Sequence, residues 1–157
     1  KYVTQLYRQV LVLDSGARGT ATTFVQKGIG DVQLAWENEA HRELAETPGE
    51  LEIIYPPLSI RAEPNVAVVD AVAKRHGTAE VARDYLQFLY TDEGQDILAR
   101  HFYRPSNAEI AARYASQLQQ IELFEITKIA GGWGDVFEDF FGKEGVYQRV
   151  VEAVKPN

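Results

Sequence analysis

A short run of β-branched and leucine residues feeds a small-residue loop, and the loop opens a helix. This order over residues 10–27 constrains the fold more than any other feature of the chain. Val10-Leu11-Val12-Leu13 reads as a buried strand, and Asp14-Ser15-Gly16-Ala17-Arg18-Gly19 as a loop with two glycines. From Gly19 or Thr20 to Lys27 the pattern predicts a helix that packs through Phe24 and Val25 and ends at Gly28. Strand, loop and helix in this order form the repeating unit of α/β architecture.

The rest of the chain keeps the alternation. Residues 2–9 carry apolar positions at helical spacing. Asp31 to Trp36, Leu51 to Tyr55 and Val66 to Val69 read as strands. Glu37 to Glu46 is polar enough for an exposed helix or loop, and Thr47 to Glu50 is a turn. Pro56-Pro57 breaks one strand, and Leu58-Ser59-Ile60 resumes an extended path. Thr78 to Leu89 is amphipathic, with Val81, Tyr85, Phe88 and Leu89 on one face. Thr91 caps the next helix, which stops before Pro105. Asn107 to Leu118 reads as helix, and Ile121 to Ile126 fits either state. Ile129, Trp133, Val136, Phe137, Phe140 and Phe141 recur at helical spacing, and a last helix covers roughly 146–154. The expected class is α/β, a sheet flanked by helices. The proline-rich stretch 56–64 is the best candidate for a crossing between two lobes.

Composition excludes several functions. Sixteen Lys and Arg against 23 Asp and Glu leave a net charge of −7, which disfavours nucleic acid and anionic membrane as partners. Lys74 and Arg75 are too isolated to form a basic stripe. There are no cysteines, so disulfides and thiolate chemistry are impossible. No apolar run approaches the ~20 residues of a membrane span. The chain starts at Lys1 and contains no methionine, which reads as a processed or truncated product.

The 14–19 loop aims backbone N–H groups outward at a helix start, where the dipole favours an anion. A plain helix cap is the competing reading. Ser15 as a nucleophile would need a base, and His41, His76 and His101 read as surface histidines in no motif setting. No two histidines stand at metal-ligand spacing. Glu37 and Glu39 read as a solvated acidic turn rather than a carboxylate pair. Trp36 is either a core aromatic or an indole donor at a strand's carboxyl end, where α/β sheets place ligands. Trp133, beside Gly131-Gly132, reads as core packing.

Three clusters together carry a resemblance: Leu13-Asp14-Ser15-Gly16-Ala17-Arg18-Gly19, Gly28-Ile29-Gly30-Asp31-Val32, and Ala35-Trp36-Glu37-Asn38-Glu39-Ala40. Tyr55-Pro56, Ala62-Glu63-Pro64, Val66 to Asp70, Ala73 to Gly77, Phe88 to Thr91, Tyr103-Arg104-Pro105 and Gly131-Gly132-Trp133 extend it over nearly the whole chain. The combination resembles the bacterial periplasmic sulfate-binding proteins, the substrate-binding components of sulfate/thiosulfate ABC importers. Members of that family are about twice this length, and the resemblance is to their C-terminal half.

The resemblance implies part of a two-lobed periplasmic binding protein of type II. Residues 1–50 would be the latter part of the second, ligand-binding lobe. Residues 51–64 would be the inter-lobe crossing, and 65–157 the C-terminal portion of the first lobe with the C-terminal helices. It implies a non-enzymatic periplasmic protein that binds sulfate or thiosulfate and delivers it to a membrane permease, with no cofactor and no metal. The family's backbone N–H donor falls on Ala17 and its indole donor on Trp36, nineteen positions later. Ser15, Gly16, Arg18 and Gly19 would surround them, Arg18 without touching the anion. The other donors would lie in the half that has no counterpart here, so this chain alone should bind weakly. Uncovered apolar faces at 51–60, 66–69, 78–90 and 127–141 should make it a homo-oligomer, with 56–64 as the hinge. A molybdate-type oxyanion and a Ser15-dependent hydrolase are the alternatives.

Overall fold

Helix α1, Tyr2–Arg8, and helix α10, Val146–Val154, bring the two ends of the chain together. Tyr7 and Tyr147 meet edge to face at 6.4 Å, and Arg8 donates to the Ala153 carbonyl at 3.4 Å. The computed structural model that shows this describes residues 1–155.

Ten short α-helices, two π-type stretches and one small sheet are the regular elements among the described residues. Helix α2, Ala17–Ala21, continues into a wider π-type turn at Thr22–Gln26 and ends at Gly28, whose φ of 63° favours glycine. Helix α3 is Glu37–Glu46. Strand β1, Leu58–Ile60, pairs in parallel with strand β2, Glu122–Phe124, with Ser59 opposite Leu123. The connection between them carries four helices: α4 (Asp70–His76), α5 (Ala79–Phe88), α6 (Asp92–Arg100) and α7 (Ala108–Arg113). After β2 come α8 (Ile126–Ala130), α9 (Trp133–Val136) and a second π-type stretch, Phe137–Phe141. The fold is therefore mixed α/β with a two-stranded parallel sheet.

Local chemistry explains where the helices begin and end. Thr91 Oγ accepts from the Gly94 N–H at 3.1 Å and donates to the Phe88 carbonyl at 2.7 Å. A side chain at Gly94 would strike that carbonyl, so only glycine fits the cap. Asn107 Oδ1 accepts from Glu109 and Ile110 N–H and caps α7. Between these caps the buried Gln95 ties the α5–α6–α7 unit together. Its amide donates to the Leu89 carbonyl at 2.7 Å, and its oxygen accepts from the Ser106 N–H at 2.7 Å and the Asn107 N–H at 3.3 Å.

Four expected strands are not strands. Residues 10–13, 31–36, 51–55 and 66–69 have no ladder partner among the described residues, and of their backbone N–H groups only that of Val10 donates to a backbone group, the Tyr7 carbonyl at the end of α1. A strand exists only through its neighbour, and no described segment pairs its backbone with these. Trp36, expected at the end of a strand, is instead the N-cap residue of α3. Helix α4 was not expected at all. Its signals are Asp70 in the first turn, Lys74, Arg75 and His76 in the last, and Gly77 in the left-handed conformation at its end.

The core is correspondingly small: Ala21, Ala73, Ala99, Ile110, Leu118, Val136 and Val150. Trp133, expected in the core, is 67% exposed, and Val81 and Tyr85 of α5 are also exposed. Ile54, Val66, Val69, Ile129, Phe137 and Phe141 stand out in the same way. The faces expected to be uncovered are uncovered. The accessible surface is 12384 Å², where a folded monomer of this mass exposes about 7,900 Å².

Gln95 is the polar element whose loss the α5–α7 unit cannot absorb. Gln95→Leu keeps the volume but orphans the Leu89 carbonyl and the Ser106 and Asn107 N–H groups. The expected cost is about 1–3 kcal/mol. A shifted chemical-denaturation midpoint at unchanged slope would measure it.

Candidate functional site

The Ser15–Gly19 segment opens a helix, and the helix begins at Ala17, two to three residues before the expected start at Gly19 or Thr20. Gly16 is the N-cap residue, fully extended, and Ala17 is the first residue of α2. The Gly16 carbonyl is occupied by the Thr20 N–H at 3.1 Å and the Thr20 hydroxyl at 3.2 Å. The Ala17 N–H has no backbone acceptor, as expected for the first turn of a helix. Ser15 makes no side-chain hydrogen bond among the described residues, and His41 is engaged elsewhere, so no base stands on the Ser15 hydroxyl.

The start of α3 lies beside the start of α2. Arg18, in the first turn of α2, reaches Glu39, in the first turn of α3, at 4.0 Å. Two helix N-termini, each with a positive dipole end, are thereby brought together. Ala17 opens one and Trp36 caps the other. Trp36 is 60% exposed in this chain.

Glu37 and Glu39 are not a solvated acidic turn. Arg104 grips Glu37 with two parallel bonds, Nε to Oε2 at 2.6 Å and Nη2 to Oε1 at 2.8 Å, and donates to the Gln119 carbonyl at 2.6 Å. Arg42 holds Glu39 at 2.9 Å and Glu46 at 2.9 Å. Each carboxylate in the first turn of α3 thus has a guanidinium on it.

A second contact set, unforeseen from the sequence, fastens α3 to the end of α6. Phe102 follows α6 in the left-handed conformation, φ 65°, and the N–H groups of Phe102 and Tyr103 close the helix onto the Ala99 and Leu98 carbonyls. Glycine usually fills this position, and a side chain there costs about 1–2 kcal/mol. The Phe102 ring is compensated by stacking on His41, 4.5 Å between centroids and 4° from parallel. Asn38 donates to the Tyr103 hydroxyl at 3.2 Å. Residues 102, 103 and 104 therefore land in turn on 41, 38 and 37. His41, expected as a bland surface residue, also meets the Tyr55 hydroxyl at 2.7 Å. The signal available in the sequence was Tyr103-Arg104-Pro105, whose partners lie too far along the chain for spacing to reveal.

A family model described as "Bacterial extracellular solute-binding protein" matches residues 2–104. The chain belongs to this family. A sulfate-binding protein of Escherichia coli is 46% identical over 150 residues, 95% of this chain and 46% of that relative. A thiosulfate-binding protein of Pseudomonas aeruginosa is 41% identical over 153 residues, 96% of this chain and 46% of the relative. A sulfate-binding protein of Synechocystis is 34% identical over 145 residues, 91% and 41% of the two chains. The chain spans about half the length of the curated relatives it matches. Homology to sulfate- and thiosulfate-binding proteins therefore extends over nearly all of it.

Burial in the His41 pocket lowers the histidine's pKa from its ordinary 6.5; Glu37 acts against this and Arg104 with it. A lowered folded pKa means that the folded protein holds fewer protons than the unfolded chain. The neutral ring's contribution is complete above the unfolded pKa and is lost as pH falls through the folded one. Thermal unfolding followed downward from pH 7.5 should show stability falling below about pH 6.5. His41→Phe keeps the stack on Phe102 and should flatten that part of the profile.

Proposed function

We propose that the chain is the C-terminal half of a two-lobed periplasmic receptor that binds sulfate or thiosulfate and delivers it to the membrane permease of an ABC importer. It catalyses no reaction. Residues 1–50 form the latter part of the ligand-binding lobe, 51–64 the crossing, and 65–157 the C-terminal portion of the other lobe. The anion sits at the adjoining starts of α2 and α3, taking hydrogen bonds from the Ala17 N–H and the Trp36 indole. Ser15, Gly16, Arg18 and Gly19 shape that end of α2. One observation carries this reading. The two positions that match the family's donors open two helices whose first turns touch through Arg18 and Glu39, with both carboxylates of the first turn of α3, Glu37 and Glu39, paired to arginines.

Physical chemistry favours a fully ionised oxyanion in such a place. A dianion stripped of water needs most of its lone pairs satisfied, and neutral N–H dipoles at helix ends do this without a counter-charge. Sulfate carries no proton at neutral pH. Hydrogen phosphate does, and its proton would be buried among donors with no acceptor, at a cost of about 1–3 kcal/mol. Two donors satisfy only part of sulfate, which is why the chain by itself binds weakly and the remaining donors belong to the missing half.

The uncovered surface fits the same reading. The excess over a folded monomer is roughly 4,500 Å², more than one side of a standard interface buries, about 800 Å². Expressed alone, the 157 residues should self-associate, most simply as a two-fold dimer hinged at 56–64. Light scattering at tens of micromolar should give at least twice the 17.6 kDa chain mass. A monomer that binds no apolar dye would show these faces to be buried otherwise.

Ala17→Pro provides the sharpest test of the site. Proline is tolerated at the first position of a helix, so this change deletes one N–H and little else. In the complete gene product, calorimetric sulfate affinity should fall roughly 10- to 100-fold, the worth of a hydrogen bond to a charged group. Trp36→Phe should act similarly. Unchanged affinity in both variants would remove the site.

A further inference from the structure

We infer that Arg104 controls the affinity of the anion site without touching the anion, by cancelling the Glu37 carboxylate at the start of α3. This rests on the reading of Trp36 as a ligand donor. Glu37 immediately follows Trp36, and among the described residues Arg104 is its only ion-pair partner. Glu39, two positions on, has Arg42 at 2.9 Å and Arg18 at 4.0 Å. Removing Arg104 would therefore leave one uncompensated negative charge in the turn that presents the indole.

The geometry suits this role. The pair is bidentate, at 2.6 and 2.8 Å, and the guanidinium is anchored from behind by the Gln119 carbonyl at 2.6 Å. Both side chains are largely shielded, 31% and 22% exposed, so water screens the pair less than it would a surface bridge. The partners stand 67 residues apart. The Phe102–His41 stack and the Tyr103–Asn38 bond hold the 102–104 segment in place on either side. Lysine would supply the charge but not the two-pronged fit.

The test is a charge-rescue series in the complete gene product, read by calorimetry with inorganic sulfate. Arg104→Ala should weaken sulfate binding about tenfold, as loss of a group that tunes a ligand-holding residue does. Arg104→Lys should recover part of the loss. The double change Arg104→Ala with Glu37→Gln should recover most of it, because the stray charge is gone although the bridge is still missing. Glu37→Gln alone should not weaken binding. The Trp36 indole N–H resonance should keep its sulfate-induced shift in the double variant. If the double variant binds as poorly as Arg104→Ala, the residue acts through packing and the inference is overturned. Trp36→Phe serves as the control. If it leaves sulfate affinity unchanged, the site itself is misplaced and the inference falls with it, a result distinct from failure of the rescue.

Discussion

A β-strand cannot satisfy its own backbone, and this constraint governs the molecule. A helix pairs its N–H and C=O groups within itself, whereas a strand leaves them for a neighbour. Residues 10–13, 31–36, 51–55 and 66–69 have strand sequences and no ladder partner, and among the described residues only Leu58–Ile60 with Glu122–Phe124 forms a ladder. The apolar side chains that such strands and their flanking helices would press together stand in solvent instead, from Ile54 and Val69 to Phe137 and Phe141. What holds the described residues in shape is therefore mostly local and polar: the Thr91 and Asn107 caps, the Gln95 hub, and the ion pairs of α3.

The same constraint explains which parts of the fold are legible in the sequence. Helices α1, α5, α6 and α10 follow from spacing and caps, because their determinants lie within a few residues of one another. Helix α4 has such signals in Asp70, the Lys74-Arg75-His76 cluster and Gly77, but the valine-rich run Val66 to Val69 just before it masks them. Strand propensity was read correctly as composition and wrongly as structure, because pairing is a property of two segments. Trp133 shows the corresponding limit for helices. Its periodic neighbours Val136 and Phe140 define an apolar face, yet periodicity tells which way a face points and not whether anything covers it.

The candidate site divides along similar lines. The 14–19 loop announces a helix start through its small residues, and the structure puts Ala17 at the first position of that helix. The indole of Trp36 was singled out by resemblance, and its place at the head of α3 is a consequence of where that helix begins. The Arg104–Glu37 bridge, the Phe102–His41 stack and the His41–Tyr55 bond were invisible beforehand. Each joins residues well separated along the chain, and the stack and the bridge follow the turn made at a left-handed Phe102 that no sequence rule favours.

Net charge and local charge act on different scales here. A chain at −7 repels a dianion from a distance, but salt screens that repulsion beyond about 8 Å at physiological ionic strength. Within that radius the balance is set by named groups. Arg104 offsets Glu37, Arg42 and Arg18 offset Glu39, and two helix starts contribute their N–H dipoles. Dipoles hold an anion without the strong attraction to every negative species that a free guanidinium would exert. On the proposed reading, an acidic protein takes up a dianion while leaving Glu37 and Glu39 in place, provided each keeps its arginine.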